Sequence, residues 1–134
     1  MSMTQEYRRT TTTVSLINYH FVFCPRYRRK VLKGDVDKRF REILQQVCDE
    51  HEIILVALEV MPDHVHLFVN TLPVLSPSAI MAKVKGITSR LLRQEFKHLN
   101  HLPSLWTRSF FCSTAGNVAS ETIERYIAEQ KKSG

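Results

Sequence analysis

Two apolar runs, residues 53–61 and 64–70, are separated only by Pro62-Asp63. Proline fixes its own φ and cannot donate to a strand ladder, and Pro-Asp is a turn pair. The runs therefore predict two strands folded back as a hairpin. A turn this short makes its strands neighbours and antiparallel, so the rest of the fold has to be arranged around it.

Upstream, residues 14–24 are rich in β-branched and aromatic side chains and predict a strand that stops at Pro25. A basic loop, Arg26-Tyr27-Arg28-Arg29-Lys30, comes next and closes near Gly34. Phe40, Ile43, Leu44 and Val47 recur at spacings of three and four, which predicts a helix over 37–51 with one buried stripe. Downstream, Ser76-Pro77 is a helix start, with a capping hydroxyl and proline at the first helical position. That helix should reach about residue 96 and bury Ile80, Val84, Ile87 and Leu91. Gly86 inside it costs about 1 kcal/mol relative to alanine, which predicts a close backbone approach. A linker over 98–103, a fourth strand over 105–113 and a last helix over 120–132 complete the chain. Residues 1–13 are polar and are expected to be a flexible arm. The order β-α-β-β-α-β-α predicts an α+β fold: a ferredoxin-like, RRM-like sandwich with an added C-terminal helix.

At 134 residues the chain is expected to be a single domain, 1–134, and its 43% hydrophobic and 24% charged composition excludes a disordered or fibrous protein. Nineteen Lys and Arg against thirteen Asp and Glu give a net charge of +6, which suits an anionic partner such as nucleic acid. Cys24, Cys48 and Cys112 are odd in number and lack Cys-x-x-Cys spacing, so reduced thiols are expected rather than a disulfide framework. The N-terminal residues show no signal-peptide core, and no stretch approaches the roughly 20 apolar residues of a membrane span. A cytoplasmic protein with no membrane partner is expected.

Chemistry concentrates in Asp63-His64-Val65-His66-Leu67-Phe68-Val69-Asn70. Residues two apart on a strand share a face, so Val65, Leu67 and Val69 line one side and His64, His66, Phe68 and Asn70 the other. Two imidazoles so placed can chelate one divalent ion; they can equally be hydrogen-bonded residues of a polar face. A third ligand would have to come from elsewhere. On the last helix, Tyr126 and Gln130 lie four apart on one face, beside an apolar stripe of Ile123 and Ile127. Periodicity leaves open whether they converge on a site or whether tyrosine is a core edge and glutamine solvated.

Taken together, the motifs resemble a known family. They are Tyr19-His20-Phe21-Val22-Phe23-Cys24-Pro25-Arg26-Tyr27-Arg28, Met61-Pro62-Asp63-His64-Val65-His66, Lys85-Gly86-Ile87-Thr88-Ser89, Leu105-Trp106, Ser109-Phe110-Phe111 and Tyr126-Ile127-Ala128-Glu129-Gln130. The sequence resembles the single-tyrosine HUH-type transposases of the insertion-sequence 200/605 family from about residue 14 onward. The resemblance implies that His64, His66 and Gln130 hold a divalent metal ion, Mg2+ or Mn2+, and that Tyr126 is the nucleophile. It implies cleavage and rejoining of single-stranded DNA hairpins through a 5′-phosphotyrosine, with no small-molecule cofactor. It also implies a homodimer in which the tyrosine helix of one subunit completes the site of the other. Only four residues come after Gln130, which is compatible with a helix docked on a partner.

DNA contacts are expected from the loop, through Arg26, Arg28, Arg29 and Lys30 on phosphates with Tyr27 as a stacking surface, and from the second helix, through Lys83, Lys85, Arg90 and Arg93. Trp106, Phe110 and Phe111 are expected in the core or a dimer contact, and His20 is expected to be structural. Two alternatives remain open. One is a domesticated relative, acting on chromosomal repeat hairpins, or a replication initiator with the same chemistry. The other is a non-enzymatic single-strand-binding module, which would have no need of His64, His66, Tyr126 and Gln130 together.

Overall fold

The computed structural model describes residues 7–114 and 120–132. Strands β1 (Arg8–Arg9) and β2 (Val14–Ser15) form a small antiparallel ribbon. The main sheet comprises β3 (Ile17–Phe23), β4 (Ile54–Met61), β5 (His64–Thr71) and β6 (Phe111–Ser113), in the order β4-β5-β3-β6. Every neighbouring pair is antiparallel. Helices α1 (Asp35–Glu50) and α2 (Pro77–Glu95) cover one face, and α3 (Ser120–Glu129) packs on the other. This is the ferredoxin-like sandwich with a C-terminal helix.

The hairpin forms as expected, with Met61 paired to His64 across the Pro62-Asp63 turn. Its alternation divides β5: Val65, Leu67 and Val69 are buried, while His64, His66 and Phe68 are half-buried on the opposite face. α1 begins at Asp35, earlier than residue 37, and two acidic residues in its first turn suit the positive end of the helix dipole. Val36, Phe40, Ile43, Leu44, Val47 and Cys48 form its buried stripe. α2 starts where expected, with the Ser76 hydroxyl accepting from the Ala79 N–H at 3.0 Å.

Several boundaries and roles differ from expectation. The arm is not wholly loose: Arg8 and Arg9 are a strand, and the Arg8 guanidinium donates to the Glu52 carbonyl at 2.8 Å and to Asn70. The first six residues of that arm lie outside the described residues. The fourth strand is only Phe111–Ser113; before it, Trp106 makes a single bridge to Pro25 and is fixed by its side chain instead. Phe110 enters the helix-covered core against Phe21, while Phe111 sits on the opposite face near His20 and Tyr126. No close approach occurs at Gly86, where a Cβ would meet nothing within 4 Å. No helix among the described residues is long and apolar enough to cross a membrane.

Candidate active site

The face of the sheet opposite α1 and α2 carries His20, Val22 and Cys24 from β3 and its continuation, and His64 and His66 from β5. Val22 and Cys24 pack with Ile127 of α3, joined by Phe111, Ile123 and Tyr126. A cleft of about 470 Å3 remains between sheet and helix. Arg28, His64 and His66 line its sheet side, and Ile123, Glu124, Ile127 and Ala128 its helix side.

The two imidazoles are brought together, their ring centroids 5.2 Å apart. Each is held through Nδ1. His64 Nδ1 lies 2.8 Å from Asp63 Oδ1, and His66 Nδ1 lies 3.2 Å from His20 Nε2. The Asp63 carboxylate keeps the His64 proton on Nδ1 and leaves Nε2 as the coordinating nitrogen, the arrangement typical of metal-bound histidines, and the His20 contact does the same for His66 when His66 Nδ1 is the donor. The donor chemistry therefore fits a divalent ion. Among the described residues no group of three or more His, Cys, Asp and Glu lies together to hold one, so the pair needs a ligand of another type or from another chain.

Burial lowers the pKa of His66, and the neighbouring His64 adds to that; burial likewise lowers His20, with His66 adding. Both rings thus favour the neutral form that ligation and the His20–His66 bond require. Asp63 serves two partners, because its second oxygen accepts from Arg28 Nη2 at 2.6 Å. Burial alone would raise this carboxyl, but the bonds from His64 and Arg28 outweigh it and hold the pKa below its ordinary value. Tyr27 and Arg28 adopt positive φ angles of 57° and 52°, a region that costs non-glycine residues about 1 kcal/mol or more. That turn is held by the Arg26 N–H on the Leu105 carbonyl and by Arg26 Nη1 on Ser104 Oγ, both at 2.8 Å.

Tyr126 and Gln130 are also brought together, but elsewhere. Ser109 Oγ lies 3.0 Å from the Tyr126 hydroxyl and donates to Gln130 Oε1 at 3.2 Å. The Ser109 hydroxyl can accept the tyrosine proton while donating to Gln130, or turn to donate to the phenol oxygen. Gln130 is buried at 4% exposure, not solvated, and its Nε2 also donates to the Tyr126 carbonyl. Burial raises the Tyr126 pKa, against a lowering by the Ser109 and Thr107 hydroxyls. Neither Tyr126 nor Gln130 lines the histidine cleft. In this chain the histidine pair lines the cleft, and Tyr126 and Gln130 meet on Ser109 instead.

The expected DNA contacts divide by environment. Arg29, Lys30 and Arg90 are exposed, and Tyr27 is 40% exposed with the Arg26 guanidinium over its ring. Lys83 is half-buried on α2. Arg93 is occupied by Asn100 and by the carbonyls of Leu102 and Pro103. Lys85 is turned inward onto two carbonyls and is not a free cation of the helix surface. His20, expected to be structural, touches His66 directly.

Comparison with known proteins bears on the family and the fold. The family described as "Transposase IS200 like" matches residues 13–130. The ISDra2 transposase TnpA of Deinococcus radiodurans is 28% identical over 117 residues, covering 85% of this chain and 84% of that protein. The transposase for insertion sequence element IS200 of Salmonella typhimurium is 30% identical over 117 residues, covering 84% and 75%. Among solved structures, a Deinococcus radiodurans R1 protein described as a transposase superposes with a TM-score of 0.85 at 30% identity, covering 92% of this chain and 97% of its own. A REP-associated tyrosine transposase bound to a REP hairpin shares the fold, with a TM-score of 0.55 at 18% identity over 92% and 68% of the two chains. On the match over most of its length, the chain belongs to the IS200-like transposases, enzymes of DNA transposition.

Proposed function

We propose that this transposase acts as a homodimer on single-stranded DNA hairpins, cleaving and rejoining strands through a covalent bond to Tyr126. The observation that carries the reading is the division of the site. His64 and His66 line one cleft, whereas Tyr126 and Gln130 meet on Ser109 outside it. A second subunit, contributing its tyrosine helix in trans, would unite a histidine pair with a tyrosine and glutamine.

In this reading His64, His66 and the partner's glutamine at the position of Gln130 would hold Mg2+ or Mn2+. When bound, the ion would supply Lewis-acid polarisation of the scissile phosphate. Asp63 and His20 orient the two imidazoles through Nδ1. Arg28, anchored by Asp63 at the cleft wall, offers its guanidinium to a phosphate oxygen. The Tyr126 oxygen attacks phosphorus, the P–O bond to the 3′ oxygen breaks, and a 3′-hydroxyl and a 5′-phosphotyrosine result. The ester conserves the bond, so another 3′-hydroxyl can displace Tyr126 and rejoin DNA without ATP. The net charge of +6 and the exposed Arg29, Lys30 and Arg90 support DNA as the partner, and a structural neighbour is bound to a hairpin.

The test is covalent adduct formation on a denaturing gel, using a hairpin-bearing single strand with Mg2+ or Mn2+. An adduct that survives Tyr126→Phe sinks the tyrosine assignment. Mixing His64→Ala with Tyr126→Phe protein tests the arrangement in trans. A mixed dimer then has one site with both defects and one with none, so about a quarter of the wild-type sites should return. A strictly cis enzyme would recover none.

A further inference from the structure

The motif Lys85-Gly86-Ile87-Thr88 lies on α2, on the far side of the sheet from α3, yet its polar side chains reach the segment that holds Tyr126. Lys85 Nζ donates to the Thr107 carbonyl at 2.8 Å and to the Ser109 carbonyl at 2.7 Å. One helical turn on, Thr88 Oγ1 accepts from Trp106 Nε1 at 3.0 Å and donates to the Val84 carbonyl at 2.6 Å. The segment between these anchors is not in a strand, so its carbonyls have no ladder to pair with and need donors from side chains. An ammonium with three donors can bind two carbonyls that converge at a bend, which an apolar side chain cannot do. Thr107 N–H completes the fixation on the Cys24 carbonyl at 3.0 Å. Ser109, so fixed, presents the hydroxyl that meets both Tyr126 and Gln130.

We propose that Lys85 is a positioning residue for Tyr126: by clamping the carbonyls of Thr107 and Ser109 it sets the Ser109 hydroxyl that holds the nucleophile. The inference rests on the reading of Tyr126 as the attacking group. Burial brings the Lys85 pKa down to about 8, which still leaves the ammonium as the main form at neutral pH. The Phe110 ring lies beneath the ammonium, its centroid 5.6 Å from Nζ. A displacement of the turn by about 1 Å would move Ser109 out of reach of the phenol, a scale of error worth up to about a hundredfold in rate.

The experiment compares wild type, Lys85→Met and Ser109→Ala, each labelled with fluorotyrosine. Of the four tyrosines, the 19F resonance that disappears in Tyr126→Phe belongs to the nucleophile. The clamp predicts that Lys85→Met keeps wild-type affinity for a hairpin oligonucleotide and the same salt dependence. It should shift the Tyr126 resonance and slow adduct formation roughly tenfold to a hundredfold. Ser109→Ala should reproduce both changes, and the double variant should be no slower than the worse single one. Weaker binding with a salt slope shallower by about 0.7, and an unmoved resonance, would make Lys85 a phosphate contact and overturn the proposal. An unchanged rate and resonance would overturn it equally. Should Lys85→Met not fold, Ser109→Ala decides, since an unmoved Tyr126 resonance there removes the link to the nucleophile. If wild type forms no adduct, the nucleophile reading fails by itself, while the fluorine shift still reports whether Lys85 places Tyr126.

Discussion

The two faces of the central strands share a backbone and differ in nearly everything else. Under α1 and α2, Phe21, Phe23, Val65, Leu67 and Val69 are buried in one continuous apolar cluster. One residue along in each case, His20, His64 and His66 sit on the other face among ring contacts, a carboxylate and a guanidinium. The pleat thus puts the apolar core on one set of side chains and the polar cluster on the next, with no residue of β5 between His64 and Val69 in both. Neighbouring substitutions should therefore fail in different ways.

The sharpest break is at the tyrosine. Tyr126→Phe should abolish the covalent adduct entirely, while the loss of one hydroxyl bond to Ser109 should change unfolding free energy by about 1 kcal/mol, read by urea titration beside the gel. Next come the adjacent residues His66 and Leu67. His66→Ala should lower adduct formation about a hundredfold or more and leave stability within about 1 kcal/mol. Leu67→Ala, at 0% exposure, should cost about 2–5 kcal/mol without removing a donor. Equal destabilisation by both would erase the distinction between the faces. Chelation sharpens it further: removing divalent ions should stop adduct formation and spare hairpin binding in a mobility-shift assay, because the exposed basic residues need no ion.

Smaller effects test the cleft wall. Arg28→Ala should slow adduct formation about tenfold, the scale of one charge-assisted bond, with hairpin affinity less affected than by Arg29→Ala together with Lys30→Ala. Asp63 gives a pH signature. Its folded pKa lies below the unfolded value of about 3.9, so the unfolded chain binds more protons as pH falls. The stability that Asp63 contributes is complete above that value and is lost as pH falls through the folded one. The gap between wild type and Asp63→Asn in thermal melts should accordingly be full at neutral pH and close in strong acid.

Local signals carried much of the architecture. Pro62-Asp63 gave the hairpin, and spacings of three and four gave α1 and α2, because these patterns depend only on neighbours along the chain. The failures were long-range. Arg8 looked like part of a polar arm because its partners, Glu52 and Asn70, are 44 and 62 residues away. Residues 105–110 looked like strand from their aromatics, but Trp106 spends its indole on Thr88 and joins no ladder beyond one bridge. Lys85 had the sequence of a basic helix face and the position of an internal clamp. His20 gave no local sign of its role, because only strand pairing sets it against Phe68 and within reach of His66.

The sequence by itself determined that His64 and His66 share a face, since a strand's period of two allows nothing else. It also placed Tyr126 and Gln130 together, one helical turn apart. Only the tertiary structure decided that the histidine pair lines one cleft while Tyr126 and Gln130 meet on Ser109. That placement depends on where α3 packs on the sheet. Such packing choices are made between segments far apart in the chain, and no local pattern encodes them.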